Sequence, residues 1–157
     1  MIQQNVFVFD ASIRDNVAMF REFSEDELDD AIGRAHLSGL LAERGRDYRC
    51  GENGKRLSGG EKQRISIARS LLKRASLLLA DEATAALDAE TARQVTSDLL
   101  DLNGVTRIVV THMLNEALLR RYDGILVMKN GRIEESGRLE ELMEKKGYFY
   151  ALYTVAQ

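Results

Sequence analysis

The chain has 157 residues, 45% of them hydrophobic, and a formal net charge of -3 at neutral pH, which suits one globular domain with a real core. Lysine and arginine are interspersed with acids along the whole length, so nothing suggests a polyanion-binding surface and nucleic acid is not an expected partner. No apolar run approaches the roughly 18 residues of a membrane span, and Met1 is not followed by the basic and apolar regions of a secretion signal.

In chain order, the apolar stretch Val6-Phe7-Val8-Phe9 leads into Ser12-Ile13-Arg14-Asp15. A second Ser-x-x-acid string, Ser24 to Glu27, opens a helical pattern through Leu28, Ala31, Ile32 and Ala35. Both strings predict helix starts. A short helix is expected around Leu37 to Glu43, followed by a Gly- and charge-rich loop from Gly45 to Lys55. Within that loop the lone Cys50 cannot form an internal disulfide, which fits a reducing compartment. Ser58 to Glu61 has the spacing of a capping box, and the helix it opens is expected to run to about Arg74. Ile65, Ala68, Leu71, Leu72 and Ala75 form its apolar face, with Lys73 and Arg74 at the end where the dipole favours cations. Leu77 to Ala80 is a continuous apolar run of strand length, expected to be covered on both faces. Asp88 caps a helix to about Leu102, Arg107 to His112 reads as a second strand, and Leu114 to Arg121 as a further helix. Strand, helix, strand, helix implies a parallel sheet. Gly124 to Ser136, centred on Asn130-Gly131, predicts a β-hairpin, and helices at Leu139 to Lys145 and Tyr148 to Val155 close the chain.

Two places carry candidate chemistry. Asp81 and Glu82 lie at the carboxyl end of a predicted parallel strand, the edge where open α/β sheets bind ligands. At Ser58, Gly59 and Gly60 a helix N-terminus presents unpaired amides and partial positive charge, and two glycines let phosphate oxygens approach the backbone. Read singly, these residues also fit a turn that starts on acids and a plain capping box.

The string Leu57-Ser58-Gly59-Gly60-Glu61, continued by Lys62-Gln63-Arg64-Ile65-Ser66-Ile67-Ala68-Arg69, and then Leu77-Leu78-Leu79-Ala80-Asp81-Glu82, resembles the second half of an ATP-binding-cassette (ABC) nucleotide-binding domain. The first string is similar to the family's LSGGQ stretch, with Glu61 replacing the commoner glutamine. The second is similar to its Walker B strand. A P-loop requires Gly, four residues, then Gly-Lys-Ser/Thr, and no such string occurs in these residues. The nearest lookalike, Gly54-Lys55-Arg56, has no Gly five positions earlier and no hydroxyl after the lysine.

The resemblance implies an α/β fold: an incomplete P-loop NTPase domain in which a helical subdomain (1–75) precedes a parallel sheet core with a C-terminal hairpin (76–157). It implies ATP and Mg2+ as ligands and gives each residue a role. Asp81 helps hold the metal, and Glu82 polarises the attacking water. His112, after Thr111, resembles the switch histidine that contacts the γ-phosphate. Gln4, with Gln3 as an alternative, resembles the Q-loop glutamine that reaches metal or water, although proline usually precedes it. Ser58, Gly59, Gly60 and Glu61 belong to the signature that faces the nucleotide of a second cassette. Ala85-Ala86-Leu87-Asp88 resembles the D-loop, with Asp88 at a dimer interface and Ala85 replacing the usual serine. Tyr48 to Gly54, with Glu52 its clearest residue, is similar to the loop by which exporters touch their transmembrane domains. The tail from Gly131 to Gly137, then Gly147-Tyr148, is similar to the end of an exporter cassette. The expected partners are a transmembrane domain and a second nucleotide-binding domain, at the cytoplasmic face of a membrane. A soluble ABC ATPase of DNA repair, chromosome or translation work, and a non-catalytic cassette that only offers its Ser58 face to a partner, remain alternatives.

Overall fold

A computed structural model describes residues 6–73 and 76–156. Gln4, Gln3, Arg74 and Ala75 lie outside the described residues. The chain divides into two compact units, one up to Thr111 and one from His112 onward.

The first unit begins with helices α1 (Ile13–Ala18), α2 (Glu25–Arg34), α3 (Ser38–Arg44) and α4 (Gly59–Leu72). Ser12 caps α1 by accepting from the amide of Asp15, and Ser24 and Glu27 form a reciprocal capping box on α2. The loop before α4 contains a 3-10 turn at Glu52–Gly54. Gly54 has a φ of 65°, and a Cβ there would lie 2.9 Å from Val8 and from Lys62, so only glycine fits without displacement. The apolar face of α4 buries Ile65, Ala68 and Leu72 as the periodicity predicts, and also Ile67, against α1 and α2.

Beneath these helices lies a polar knot. Asn16 is fully buried; its carboxamide accepts from the Phe9 amide (2.8 Å) and donates to the carbonyls of Phe9 (3.0 Å) and Ser12 (2.9 Å). Arg69, on α4, donates to the Asn16 carbonyl (2.7 Å), to Asn16 Oδ1 (2.9 Å) and to the Phe7 carbonyl (2.7 Å). Burial lowers the pKa of the Arg69 guanidinium. These bonds compensate for withdrawing the guanidinium from water, and they fasten the Phe7 to Ser12 segment to α4. The Cys50 thiol, buried beside Asn16, has its pKa raised by that burial.

Strands β1 (Leu77–Asp81) and β2 (Thr106–Val110) run parallel, in register from Leu77 opposite Thr106 to Asp81 opposite Val110, and α5 (Ala89–Leu100) joins them as the crossover. Arg107 donates from β2 to the carbonyls of Leu99, Leu100 and Leu102, closing the C-terminal end of α5. The expectation that Leu77 to Ala80 is covered on both faces does not hold. Leu78 and Ala80 are buried, whereas Leu77, Leu79, Ile108 and Val110 stand exposed on the opposite face. A parallel sheet buries both faces only when a layer covers each, and here the core lies on one side. Strand β2 also stops at Val110, so Thr111 and His112 lie beyond it.

The second unit starts with α6 (Glu116–Leu119), shorter than the predicted Leu114 to Arg121: Asn115 fixes its start by accepting from the Leu118 amide, and Arg120 is its C-cap. The hairpin forms as predicted between β3 (Ile125–Lys129) and β4 (Arg132–Gly137). Asn130 and Gly131 have φ of 50° and 75°, the left-handed pair a two-residue turn of this kind demands. Helices α7 (Leu139–Lys145) and α8 (Tyr148–Val155) follow, with Leu119, Val127, Leu139, Leu142 and Phe149 as the core. The Glu135 carboxylate reaches from β4 to accept from the amides of Tyr148 (3.1 Å) and Phe149 (2.7 Å) at the start of α8. No helix among the described residues is long and apolar enough to cross a membrane.

Candidate functional site

Strand β1 delivers two carboxylates to its carboxyl end. Asp81 is the last residue of the strand and is exposed. Glu82 is half-buried; its amide donates to the Val110 carbonyl (3.0 Å), extending the β1–β2 ladder by one bond. At Glu82 the backbone then turns sharply, with a φ of 45°, a left-handed conformation that a non-glycine residue adopts at a cost. Consecutive turns follow, in which the Ala85 amide donates to the Glu82 carbonyl and the Leu87 amide to that of Thr84, both at 3.0 Å. Asp88 ends the loop as the N-cap of α5, accepting from the Thr91 amide at 3.0 Å. Backbone and side-chain hydrogen bonds from Thr91 hold the Asp88 carboxyl below the usual aspartate range.

At α4 the capping box of Ser58 and Glu61 is formed in both directions: the Glu61 amide donates to Ser58 Oγ (3.2 Å) and the Ser58 amide to Glu61 Oε2 (2.6 Å). The other Glu61 oxygen pairs with Arg44 at 3.2 Å. An acid in place of an amide at this position thus gains a second, ionic partner that fixes α3 against the start of α4. Ser58 and Gly59 are exposed, so the first turn of α4 is open to solvent.

The two places meet. A Cβ on Gly60 would stand 3.1 Å from the Ala86 carbonyl and 3.3 Å from Leu87 Cδ2, and one on Gly59 would lie 3.6 Å from Ala86 Cβ. Close packing of the Glu82 to Asp88 loop is therefore one reason for the small residue at Gly60, beside the access to phosphate that the sequence suggests. Gln63, 1% exposed, spans the same contact: its Nε2 donates to the Glu82 carbonyl (3.0 Å) and its Oε1 accepts from the Ala86 amide (2.9 Å). Sequence reasoning missed Gln63. Its signal was a polar side chain one turn before Ile67 on the buried face of α4, a position that favours apolar residues unless hydrogen bonds are satisfied.

Ser58, Gly59, Gly60, Glu61, Asp81, Glu82 and Asp88 thus belong to one unit, within which the loop after β1 rests on the N-terminal turn of α4. His112 is exposed and is the first residue of the second unit. Gln4 lies outside the described residues.

A helix N-terminus with two glycines thus packs on a carboxylate-bearing loop at the end of a parallel strand, and comparison with known proteins gives the family. A family model described as "ABC transporter" matches residues 1–85. The ATP-dependent lipid A-core flippase of Francisella tularensis subsp. tularensis (strain SCHU S4 / Schu 4) is 44% identical over 158 residues, covering 98% of this chain and 26% of the flippase. An uncharacterized ABC transporter ATP-binding protein of Bacillus subtilis (strain 168) is 42% identical over 157 residues, covering 98% of this chain and 27% of that protein. Among solved structures, a bacterial Atm1-family ABC exporter with ATP bound superimposes with a TM-score of 0.89 at 34% identity, covering 99% of this chain and 28% of that one.

The chain belongs to the ABC transporter family, and its sequence and fold are those of an exporter-type nucleotide-binding cassette. It spans about a quarter of the length of the curated relatives it matches.

Proposed function

We propose that this chain supplies the signature and Walker B elements of an ATP-hydrolysing cassette that powers an exporter at the cytoplasmic face of a membrane. The observation that supports the reading is the packing of the capped Ser58–Glu61 turn against the Glu82 to Asp88 loop, which joins an exposed helix end to the loop that follows Asp81. Functionally the chain divides at 75/76 into a helical part with the signature and a part running from Walker B to the C-terminus.

In this reading Glu82 orients and polarises the attacking water. Mg2+ accepts oxygen ligands, one or two carboxylates with phosphates and water completing the shell, and Asp81 at the exposed strand end fits that donor set, with Gln4 the second residue assigned to it. Held by Asp81 and Gln4, the metal would neutralise negative charge on the phosphates. His112 is assigned to the γ-phosphate of the same nucleotide. Ser58, Gly59 and Gly60 face the nucleotide of a second cassette, and Asp88 lies at that interface.

An exposed aromatic patch supports a further partner. Phe7 and Phe20, 60% and 63% exposed, stack edge-on against Phe9 with ring centroids 4.9 and 5.2 Å away. Met19 and Phe20 are both left-handed, which holds the second ring outward. Such a patch marks a protein contact, and with the Glu52 turn we assign it to the transmembrane domain. The P-loop string that supplies the lysine and amide cradle gripping the β- and γ-phosphates does not occur in this sequence, and in this reading the isolated chain binds Mg-ATP weakly and does not turn it over.

The test compares nucleotide binding and phosphate release in the full-length protein, its Glu82→Gln variant and the isolated chain. The variant retains ATP while hydrolysis slows by roughly two to four orders of magnitude, and the isolated chain shows neither tight binding nor turnover. Near-normal hydrolysis in Glu82→Gln would reassign Glu82 to structure, and tight binding with turnover in the isolated chain would reveal a phosphate cradle of another kind.

A further inference from the structure

We propose that Gln63 is a positioning residue for hydrolysis: its carboxamide, donating to the Glu82 carbonyl and accepting from the Ala86 amide, sets the direction in which the Glu82 carboxylate leaves the end of β1. The inference rests on the reading of Glu82 as the water-orienting group and extends it to how that group is held.

Three observations converge. First, Glu82 is left-handed, with a φ of 45°, and such a conformation persists only where its surroundings over-determine it. Second, the bonds that fix it come from two directions. The Val110 carbonyl holds its amide, while its carbonyl accepts from both the Ala85 amide and Gln63 Nε2, each at 3.0 Å. With amide and carbonyl both tied, the peptide planes on either side of the Glu82 Cα are fixed and so is its Cα–Cβ direction. Third, Gln63 is 1% exposed, and both functional ends of its carboxamide are engaged by backbone groups of the loop, at 3.0 and 2.9 Å. An amide with one donor end and one acceptor end suits this pair of partners. Leucine or methionine would leave the Ala86 amide without its acceptor, and glutamate would set a carboxylate oxygen against the Glu82 carbonyl.

The position of Gln63 adds a consequence. It lies on α4 one turn beyond Gly59 and Gly60, so the helix end assigned to the opposite nucleotide and the backbone of Glu82 are braced by a single side chain. Displacement of α4 relative to the loop would be felt at the Glu82 peptide before it is felt at Asp81, whose strand hydrogen bonds do not involve Gln63.

The experiment uses the full-length protein in membranes and compares Gln63→Met, Glu82→Gln and the double variant for steady-state turnover, ATP KM and single-turnover phosphate release, with a thermal melt of each. Methionine keeps the length of the side chain and removes both hydrogen bonds. A misplaced catalytic group costs up to about 100-fold in rate, so Gln63→Met is expected to lower kcat roughly 10- to 100-fold. Its KM for ATP stays within about 3-fold, because the bonds removed do not touch nucleotide. In the Glu82→Gln background the same substitution changes the residual rate by less than about 3-fold, since there is no carboxylate left to aim. Equal fractional losses in both backgrounds, an unchanged kcat, or a raised KM at constant kcat would each overturn the proposal. Should Gln63→Met fail to assemble, Gln63→Asn, one methylene too short to reach both partners, reads the same comparison. Normal turnover in Glu82→Gln alone would instead remove the reading beneath it, which separates the two failures.

Discussion

The polar knot under α4 makes a quantitative demand on stability. Asn16→Leu replaces the fully buried carboxamide by an apolar group of similar volume and takes the Asn16 acceptor from two half-buried donors: the Phe9 amide, now 2.8 Å from Oδ1, and the Arg69 nitrogen at 2.9 Å. The acceptors fare better, because the Ala11 amide still donates to the Phe9 carbonyl (2.8 Å) and the Asn16 amide to that of Ser12 (3.0 Å). An orphaned neutral donor costs about 1–3 kcal/mol and a charged one more, so the loss comes to about 3–5 kcal/mol. That is a large part of the 5–15 kcal/mol that folds an ordinary domain. Urea unfolding of the purified chain followed by circular dichroism should show a markedly lower midpoint, or no cooperative transition at all. Asn16→Asp keeps both acceptor contacts but turns a carboxylate oxygen toward the Phe9 and Ser12 carbonyls, so it should destabilise as well. If Asn16→Leu lost under about 1 kcal/mol, the range of a surface substitution, the knot would not be holding the Phe7 to Ser12 segment.

Two further outcomes follow from charge and surface. The Asp88 carboxyl is held low by bonds from Thr91, so the stability it lends α5 is complete above the unfolded aspartate pKa of about 3.9 and drains away as pH falls through the lower folded value; Asp88→Asn, which keeps an N-cap oxygen, should flatten that acid limb in melts recorded across pH, and an unchanged slope would refute the assignment. The bare face formed by Leu77, Leu79, Ile108 and Val110, on strands that pair only with each other among the described residues, should make the isolated chain self-associate at micromolar concentration; sedimentation as a monomer together with a cooperative melt would contradict this.

Features encoded within a few residues were legible in the sequence. The caps at Ser12, Ser24, Ser58 and Asp88 depend on a hydroxyl or carboxylate meeting an amide three positions on, and the Asn130-Gly131 turn on two residues that tolerate positive φ. The run Leu77 to Asp81 announced a strand and its acidic end. It did not announce which side would be covered, because a continuous apolar run has no polar face to mark solvent, and coverage is decided by what the helices pack against. The longer-range devices were illegible for a related reason. Gln63 meets Glu82 and Ala86 across a strand and two turns, and Arg69 meets Phe7 and Asn16 across three helices, so neither contact leaves a periodic trace. Nor does the left-handed Glu82, whose conformation is imposed by its neighbours and not by its own preference.

The ladder bond from the Glu82 amide to the Val110 carbonyl also has a temporal meaning during synthesis. Asp81 and Glu82 leave the ribosome before α5 and well before β2, yet the strand that fixes their backbone is the later one. A nascent chain that ends within α5 can have a capped α4 and its polar knot in place, while the acidic turn still samples many conformations. Gln63 and the Ala85 amide can hold the Glu82 carbonyl earlier, but the Glu82 amide gains its acceptor only once Val110 is in place and the crossover has closed. A pause or truncation upstream of Val110 would therefore yield a chain that shields part of its apolar surface and still lacks a defined Glu82, a helical scaffold awaiting its last ladder rung.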